Sequence, residues 1–181
     1  MSTSQEDLDY FRAIPQCAKL LDQPGVHIGG KNPATLTRNP LIDETLRLNE
    51  GIIRTMYYSQ AEDGSTAADG PPMGVQFLQL GKGVIGQPGM IHGAFQSALI
   101  DNLTGTMIAM TGIDQGRGML TLGLNISFKK LLFGPTVVIA KAWLDRMEGR
   151  KMFIRASVED LEGDVCTTAE ALWIIRREQK L

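Results

Sequence analysis

The spacing of apolar residues changes near residue 112, and this change limits the fold more than any other feature of the sequence. Residues 93–111 form a largely apolar run of about 18 residues, which predicts a helix roughly 27 Å long. Beyond it, every second residue is apolar in the stretch that contains Leu120, Leu122, Leu124, Ile126 and Phe128. Strict alternation predicts a strand with one buried face and one exposed face.

Further runs of β-branched and aromatic residues predict strands before and after this helix in the chain. They cover residues 52–59, 73–80, 136–146, 151–161 and 165–176. Short Gly-containing turns separate the last four strands, which predicts that these strands pair in chain order as an antiparallel meander. A long apolar helix and a sheet bury their apolar faces only against each other. The fold class is therefore α+β, with a curved antiparallel sheet around a central helix.

The first 49 residues have a different character. Residues 5–23 predict one or two short helices broken near Pro15, since proline removes a backbone donor. Residues 24–40 are rich in Gly, Pro, Asn and Thr, which predicts a connecting arm. We therefore divide the chain into an N-terminal helical extension, 1–49, and a main domain, 50–181.

Charge and composition exclude several classes of function. With 18 basic and 20 acidic residues, the net charge of −2 provides no basic surface for nucleic acid or an anionic membrane. Two cysteines and two histidines are too few for a disulfide scaffold or a multi-histidine metal centre. We therefore expect no metal, no nucleic-acid partner and no membrane partner.

Two features bear on location. The polar, acidic start of the chain is unlike a secretory or transit signal, which favours the cytoplasm. The last three residues, Gln179, Lys180 and Leu181, differ in one position from the Ser-Lys-Leu peroxisomal signal, so the peroxisome is the alternative.

The chemistry-bearing residues lie in the predicted central helix. Asp101 falls among apolar residues, and we expect it to be buried and therefore paired, hydrogen-bonded or at a cavity wall. Gly93 falls in the first turn, where backbone N–H groups lack intrahelical partners and are able to stabilise an oxyanion. The structural alternatives are an intersubunit hydrogen bond for Asp101 and a simple helix-start role for Gly93.

The spacing of these two residues favours a dimer. They lie eight residues apart, which is about 12 Å along one helix. A reacting carbonyl needs its oxyanion donor and its attacking group within about 3 Å. Two antiparallel copies satisfy this requirement if Gly93 of one subunit faces Asp101 of the other, so we expect a homodimer or a dimer of dimers.

The stretch HGAFQSALID, residues 92–101, resembles the His-Gly-Gly…Asp helix motif of hotdog-fold acyl-CoA thioesterases of the phenylacetate-pathway and THEM-type branch. The order of elements along residues 50–180 agrees with that family, as does the strand LTLGLNISFKKLLFGP. The resemblance implies a hotdog thioesterase domain over 50–181. The chain departs from the motif at Ala94, where the family has its second glycine.

The resemblance implies a role for each matching residue. Gly93 would supply the oxyanion-hole N–H, and Asp101 would act as general base on water or as nucleophile. His92 would orient the thioester or the helix start, for which simple helix capping is the alternative. Thr121 falls where related enzymes position the water, although the alternation places it opposite the leucines and facing away from its own helix. Gln87 is a candidate substitute for an upstream Asn found in some members.

The expected activity is hydrolysis of an acyl-CoA or related acyl thioester, with the CoA thioester as substrate and no cofactor. The alternatives are a hotdog dehydratase or hydratase, in which only His92 could transfer the proton, and a non-catalytic acyl-thioester binding or biosynthetic protein. Lys129 and Lys130 would contact CoA phosphates or form an ordinary solvated face.

Overall fold

A computed structural model describes residues 4–29, 39–61 and 72–177 of the chain. The helices are α1 (Gln5–Arg12), α2 (Pro15–Leu21), α3 (Pro40–Asp43) and α4 (Gly93–Thr111), with 3₁₀ turns over Thr45–Glu50 and Lys82–Val84. The strands are β1 (His27–Ile28), β2 (Ile52–Ala61), β3 (Pro72–Leu80), β4 (Met119–Phe128), β5 (Thr136–Glu148), β6 (Lys151–Glu159) and β7 (Val165–Ile175). The long central helix and the predicted strands are therefore confirmed.

All strand pairs are antiparallel, and the seven strands form one sheet in the order β1-β2-β3-β5-β6-β7-β4. The predicted meander is correct for β5, β6 and β7 but wrong for β4. Strand β4 pairs with β7, and β5 pairs with β3. The chain between β4 and β5 therefore crosses the end of the sheet instead of making a hairpin, and β4 becomes the terminal strand.

Helix α4 packs against one face of the sheet, which we call the inner face. The helix is largely apolar, and side chains along its whole length are buried in the main core. Gly105 allows the close approach of β7: a Cβ atom there would lie 2.9 Å from the Trp173 ring. The Trp173 Nε1–H group donates to the Thr104 hydroxyl at 3.0 Å, so the indole is held in place where it meets the helix.

Helices α1 and α2 cover part of the opposite, outer face and form a second core. Phe11 and Cys17 are completely buried there, against Phe77 and Tyr58 of the sheet. The ring centroids of Phe11 and Phe77 lie 5.5 Å apart. The predicted N-terminal helices, including the break before Pro15, are confirmed.

The alternating apolar residues of β4 do not all point to the same face of the sheet. The pairing register of β4 with β7 shifts between Thr121 and Gly123, so a bulge reverses which residues face α4. Leu124 and Ile126 pack against the main core, whereas Leu120 and Leu122 are more than half exposed. The prediction that all the alternating apolar residues share one buried face is wrong for this reason.

The boundary at residue 49 stays a prediction. Within the predicted extension, Ile42 lies in the main core and Leu46 packs against it. The sequence also predicts an exposed hairpin loop in the turn-forming segment AEDGSTAADGPP between β2 and β3. Residues 62–71 of this segment lie outside the described residues, as do Gln179, Lys180 and Leu181. Among the helices that are described, none has the length and apolar character needed to cross a membrane.

Candidate active site

Helix α4 begins at a cap supplied by His92. The backbone of His92 is extended, and its Nδ1 atom accepts a hydrogen bond from the Ala94 N–H at 2.9 Å. An accepting Nδ1 carries no proton, so the neutral ring bears its proton on Nε2. The ring lies against Gly86, where a Cβ atom would come within 2.6 Å of His92 Cδ2. The capping role of His92 is thus present in the structure.

The amide of Gly93 is left unpaired. The N–H groups of the two preceding residues are used, since Ile91 donates to the Leu132 carbonyl at 2.8 Å and His92 donates to the Val84 carbonyl at 2.9 Å. Gln96 closes the first turn by donating its N–H to the His92 carbonyl at 3.1 Å. No acceptor for the Gly93 N–H is present among residues 4–29, 39–61 and 72–177. The first turn therefore has a free donor at the predicted position.

A cleft of about 560 Å³ lies at this end of the helix. Its walls include Gln87, His92, Gly93, Gln96, Phe128 and Lys130. A Cβ atom on Gly93 would lie 3.2 Å from the Phe128 ring, so a larger residue would push into the aromatic wall. The expected substitute residue Gln87 thus reaches the same cleft as the Gly93 amide.

Lys130 is held by two carboxylates. Its ammonium lies 2.7 Å from Asp160 and 2.6 Å from Asp164, and these contacts raise the lysine pKa. Burial would raise the pKa of Asp160, but the Lys130 ammonium and the Asp164 backbone N–H hold it below its usual value. The charge of Lys130 is thus compensated within the chain. Lys129 is exposed and lines a groove on the outer face instead.

Asp101 and Thr121 form a hydrogen-bonded pair. The Thr121 hydroxyl donates to Oδ1 of Asp101 at 2.9 Å, whereas Oδ2 has no partner within the described part of the chain. The structure corrects two predictions, that Asp101 is buried and that Thr121 faces away from its own helix. Asp101 is only half-buried in the single chain because it lies beside terminal strand β4. Thr121 faces its own helix because the β4 bulge separates it from the inward-facing apolar residues.

The helical turn that carries Asp101 is anchored on its other side. Asn102 donates from Nδ2 to the Tyr57 hydroxyl at 2.6 Å, and its Oδ1 accepts from Asn39 at 3.3 Å. Burial raises the pKa of Tyr57, so its hydroxyl stays protonated. Because α4 is continuous between its first residue and Asp101, Gly93 and the carboxylate remain about 12 Å apart along the axis.

A buried polar pair at the cleft was not anticipated. Gln96 accepts a 2.5 Å hydrogen bond from the Thr167 hydroxyl of β7, and it donates to the Ile91 carbonyl at 3.3 Å. A glutamine within an apolar helix indicates a buried hydrogen bond, but its partner lies 71 residues away in the chain. Only the order of the strands in the sheet identifies that partner. No cluster of three or more potential metal ligands occurs among the described residues.

Comparison with known proteins identifies the domain. Residues 88–167 match the thioesterase superfamily. The acyl-coenzyme A thioesterase THEM4 of Rattus norvegicus is 31% identical over 166 residues, which are 91% of this chain and 66% of the relative. The Mus musculus THEM4 is 30% identical over 125 residues, 68% of this chain and 48% of the relative. The chain thus spans about half to two thirds of the length of these relatives.

Solved structures agree on the fold. A hypothetical thioesterase from Streptococcus pneumoniae, solved with coenzyme A, superposes with a TM-score of 0.54 at 16% identity, over 60% of this chain and 84% of the other. A Streptococcus mutans protein bound to acetyl-CoA gives 0.53 at 14% identity, over 60% and 84%. With the antiparallel sheet around its central helix and the matched sequence, this chain belongs to the thioesterase superfamily and has the hotdog fold.

Proposed function

We propose that the chain hydrolyses an acyl-CoA or a related acyl thioester to a free acid and a thiol. The observation that carries this proposal is the Asp101 carboxylate, which is held by Thr121 through Oδ1, while Oδ2 has no partner in the part of the chain that the structure describes. The free Gly93 amide supplies the second requirement of acyl transfer, a donor for the oxyanion. Relatives named acyl-coenzyme A thioesterase support the choice of substrate.

Asp101 acts as general base or as nucleophile. As a base, its carboxylate removes a proton from water while the water oxygen attacks the thioester carbonyl carbon. Gly93 stabilises the oxyanion, the C–S bond breaks, and the thiolate takes the proton back from Asp101. As a nucleophile, the carboxylate itself expels the thiolate and forms a mixed anhydride, which water then hydrolyses. Either sequence restores the carboxylate and needs no cofactor.

The reaction requires two copies of the chain. About 12 Å separates Gly93 from Asp101 along one helix, whereas a thioester carbonyl needs both groups within about 3 Å. Strand β4 offers the surface for a second copy, because within the described residues it ends the sheet with an edge that pairs with no other strand. Leu120 and Leu122 beside that edge are 58% and 54% exposed in the single chain. We therefore propose a homodimer, alone or paired into a dimer of dimers, with each site shared between subunits.

The hotdog hydratase and dehydratase alternative receives less support from His92. Its Nδ1 is occupied by the Ala94 N–H, so the neutral ring has no free nitrogen to accept a proton. Hydration also releases no thiol, and a non-catalytic binding protein would saturate with acyl-CoA without turnover. Thiol release from saturated acyl-CoAs therefore separates hydrolysis from both alternatives.

The test compares Asp101→Asn with Asp22→Asn, the same change at the exposed residue that directly follows α2. Thiol release is measured over short, long and aromatic acyl-CoAs. We expect Asp101→Asn to lower kcat by roughly 10²–10⁴-fold, the range for loss of a general base, while Asp22→Asn keeps wild-type activity. If Asp101→Asn keeps most of the activity while folding normally, the mechanism is wrong.

A further inference from the structure

Gln96 connects three separate segments at the start of α4. Its side chain is 5% exposed, and Thr167 on β7 is completely buried. The Thr167 hydroxyl donates to Gln96 Oε1 at 2.5 Å, and Gln96 Nε2 donates to the Ile91 carbonyl at 3.3 Å. One buried amide thereby ties the helix to a strand of the sheet and to the loop that enters the helix.

The same contacts reach the neighbourhood of Gly93 from two directions. Ile91, whose carbonyl Gln96 holds, lies two residues before Gly93 in the chain. Thr167 lies opposite Phe128 in the β4–β7 register, and the Phe128 ring lies against Gly93. The Gln96–Thr167 hydrogen bond is therefore connected to Gly93 through both the entering loop and the aromatic wall of the cleft.

We propose that Gln96 and Thr167 are positioning residues that set the orientation of the Gly93 amide, and thus the geometry of the oxyanion site. The inference rests on the proposed function and adds two residues that act through Gly93 without contacting the substrate's reacting atoms. Displacement of a reacting group by about 1 Å is enough to cost up to roughly 10²-fold in rate. A hydrogen bond that orients the donor therefore affects kcat more than substrate affinity.

The test uses three changes at the pair. Thr167→Val removes the hydroxyl but keeps the shape, Thr167→Ser keeps the hydroxyl, and Gln96→Met combined with Thr167→Val removes both polar partners. The matched control is Thr168→Val, the same change on the outward-facing side of β7. The readouts are kcat and KM for thiol release, the thermal unfolding midpoint, and amide hydrogen exchange in the first turn of α4.

We expect Thr167→Val to lower kcat about tenfold with KM within about twofold, and Thr167→Ser to restore it. Exchange of the first-turn amides rises in Thr167→Val and not in Thr168→Val. In the double variant no glutamine oxygen is left buried without its Thr167 donor, and the Ile91 carbonyl loses its Gln96 partner instead. Its kcat stays low, because neither hydrogen bond to the helix start remains. This variant also serves if Thr167→Val fails to fold.

A kcat within twofold of the wild type in Thr167→Val or in the double variant overturns the inference, as does unchanged exchange in the first turn. Failure of the proposed function has a different signature, since the wild type then releases no thiol or Asp101→Asn retains activity. The exchange measurement requires no turnover, so it tests the positioning of the helix start in either case.

Discussion

The hydrogen bond between Thr121 and Asp101 allows a quantitative prediction. Thr121→Val removes the donor but preserves both the side-chain shape and the β-branched character that suits a strand. A hydrogen bond to a charged group contributes about 1.5–3 kcal/mol. Thr121 is exposed and Asp101 is half-buried in the single chain, so we take the lower end, about 1.5 kcal/mol. Since 1.36 kcal/mol corresponds to tenfold in rate, kcat falls about tenfold.

The assay is release of free thiol from an acyl-CoA, detected with a chromogenic thiol reagent. The protein contributes little background, because Cys17 and Cys166 are buried and burial raises the pKa of Cys17 to about 12. Thr121→Ser keeps the hydroxyl and should retain most of the rate. In an Asp101→Asn background, Thr121→Val should have little further effect, because the two residues act as a unit. A Thr121→Val enzyme with kcat within twofold of the wild type would refute the role of this hydrogen bond.

The remaining predictions concern stability. Gly105→Ala places a Cβ atom 2.9 Å from the Trp173 ring, and an overpacking cost of about 1–3 kcal/mol exceeds the helix-propensity gain of about 1 kcal/mol. We expect the unfolding midpoint of Gly105→Ala to fall by roughly 2–4 °C. Gly123→Ala is the control, because a Cβ atom there has no neighbouring atom within 4 Å, and it should cause no such loss. A raised midpoint in Gly105→Ala would contradict this account of the packing. The pKa of Asp160 is lower in the folded protein than in the unfolded chain, where it is about 4. Ionised Asp160 therefore stabilises the fold above about pH 4, and this stabilisation is lost as the pH falls through the pKa of the folded protein. The free energies of unfolding of wild type and Asp160→Asn, measured by chemical denaturation, should therefore become more similar below about pH 4. Lys130 stays charged at every pH of this experiment, because its pKa is raised. A difference that does not change with pH would show that ionised Asp160 does not stabilise the fold.

Local patterns in the sequence were enough to predict α1, α2, α4 and strands β2 to β7, but not the short elements β1 and α3. The long apolar run predicted α4 with the bounds that the structure has, from Gly93 to Thr111. The break before Pro15 was also predictable, because proline acts on its own backbone neighbours. Strand order was not predictable in the same way. Which strand lies next to β4 depends on contacts between distant residues, and short turns alone did not identify the crossover.

In the candidate site, too, local features were predictable from the sequence and contacts between distant residues were not. Asp101 and Gly93 were selected from their helix positions, but the partner of Asp101 was assigned to the wrong face because alternation does not reveal a bulge. The expected burial of Asp101 also failed, since burial depends on how near the helix turn lies to the sheet's end. The Gln96–Thr167 pair needed both the helix and the position of β7.

The bulge in β4 makes the strand's residue count matter more than its surface position suggests. A one-residue shortening between Thr121 and Leu124 would restore regular alternation and turn either the threonine or the apolar pair away from the helix. Surface loops ordinarily tolerate such length changes with modest effects. In this chain, the loss of one residue from a solvent-facing segment would separate Thr121 from Asp101 or strip Leu124 and Ile126 from the core. Strand length, as well as residue identity, is therefore under functional constraint here.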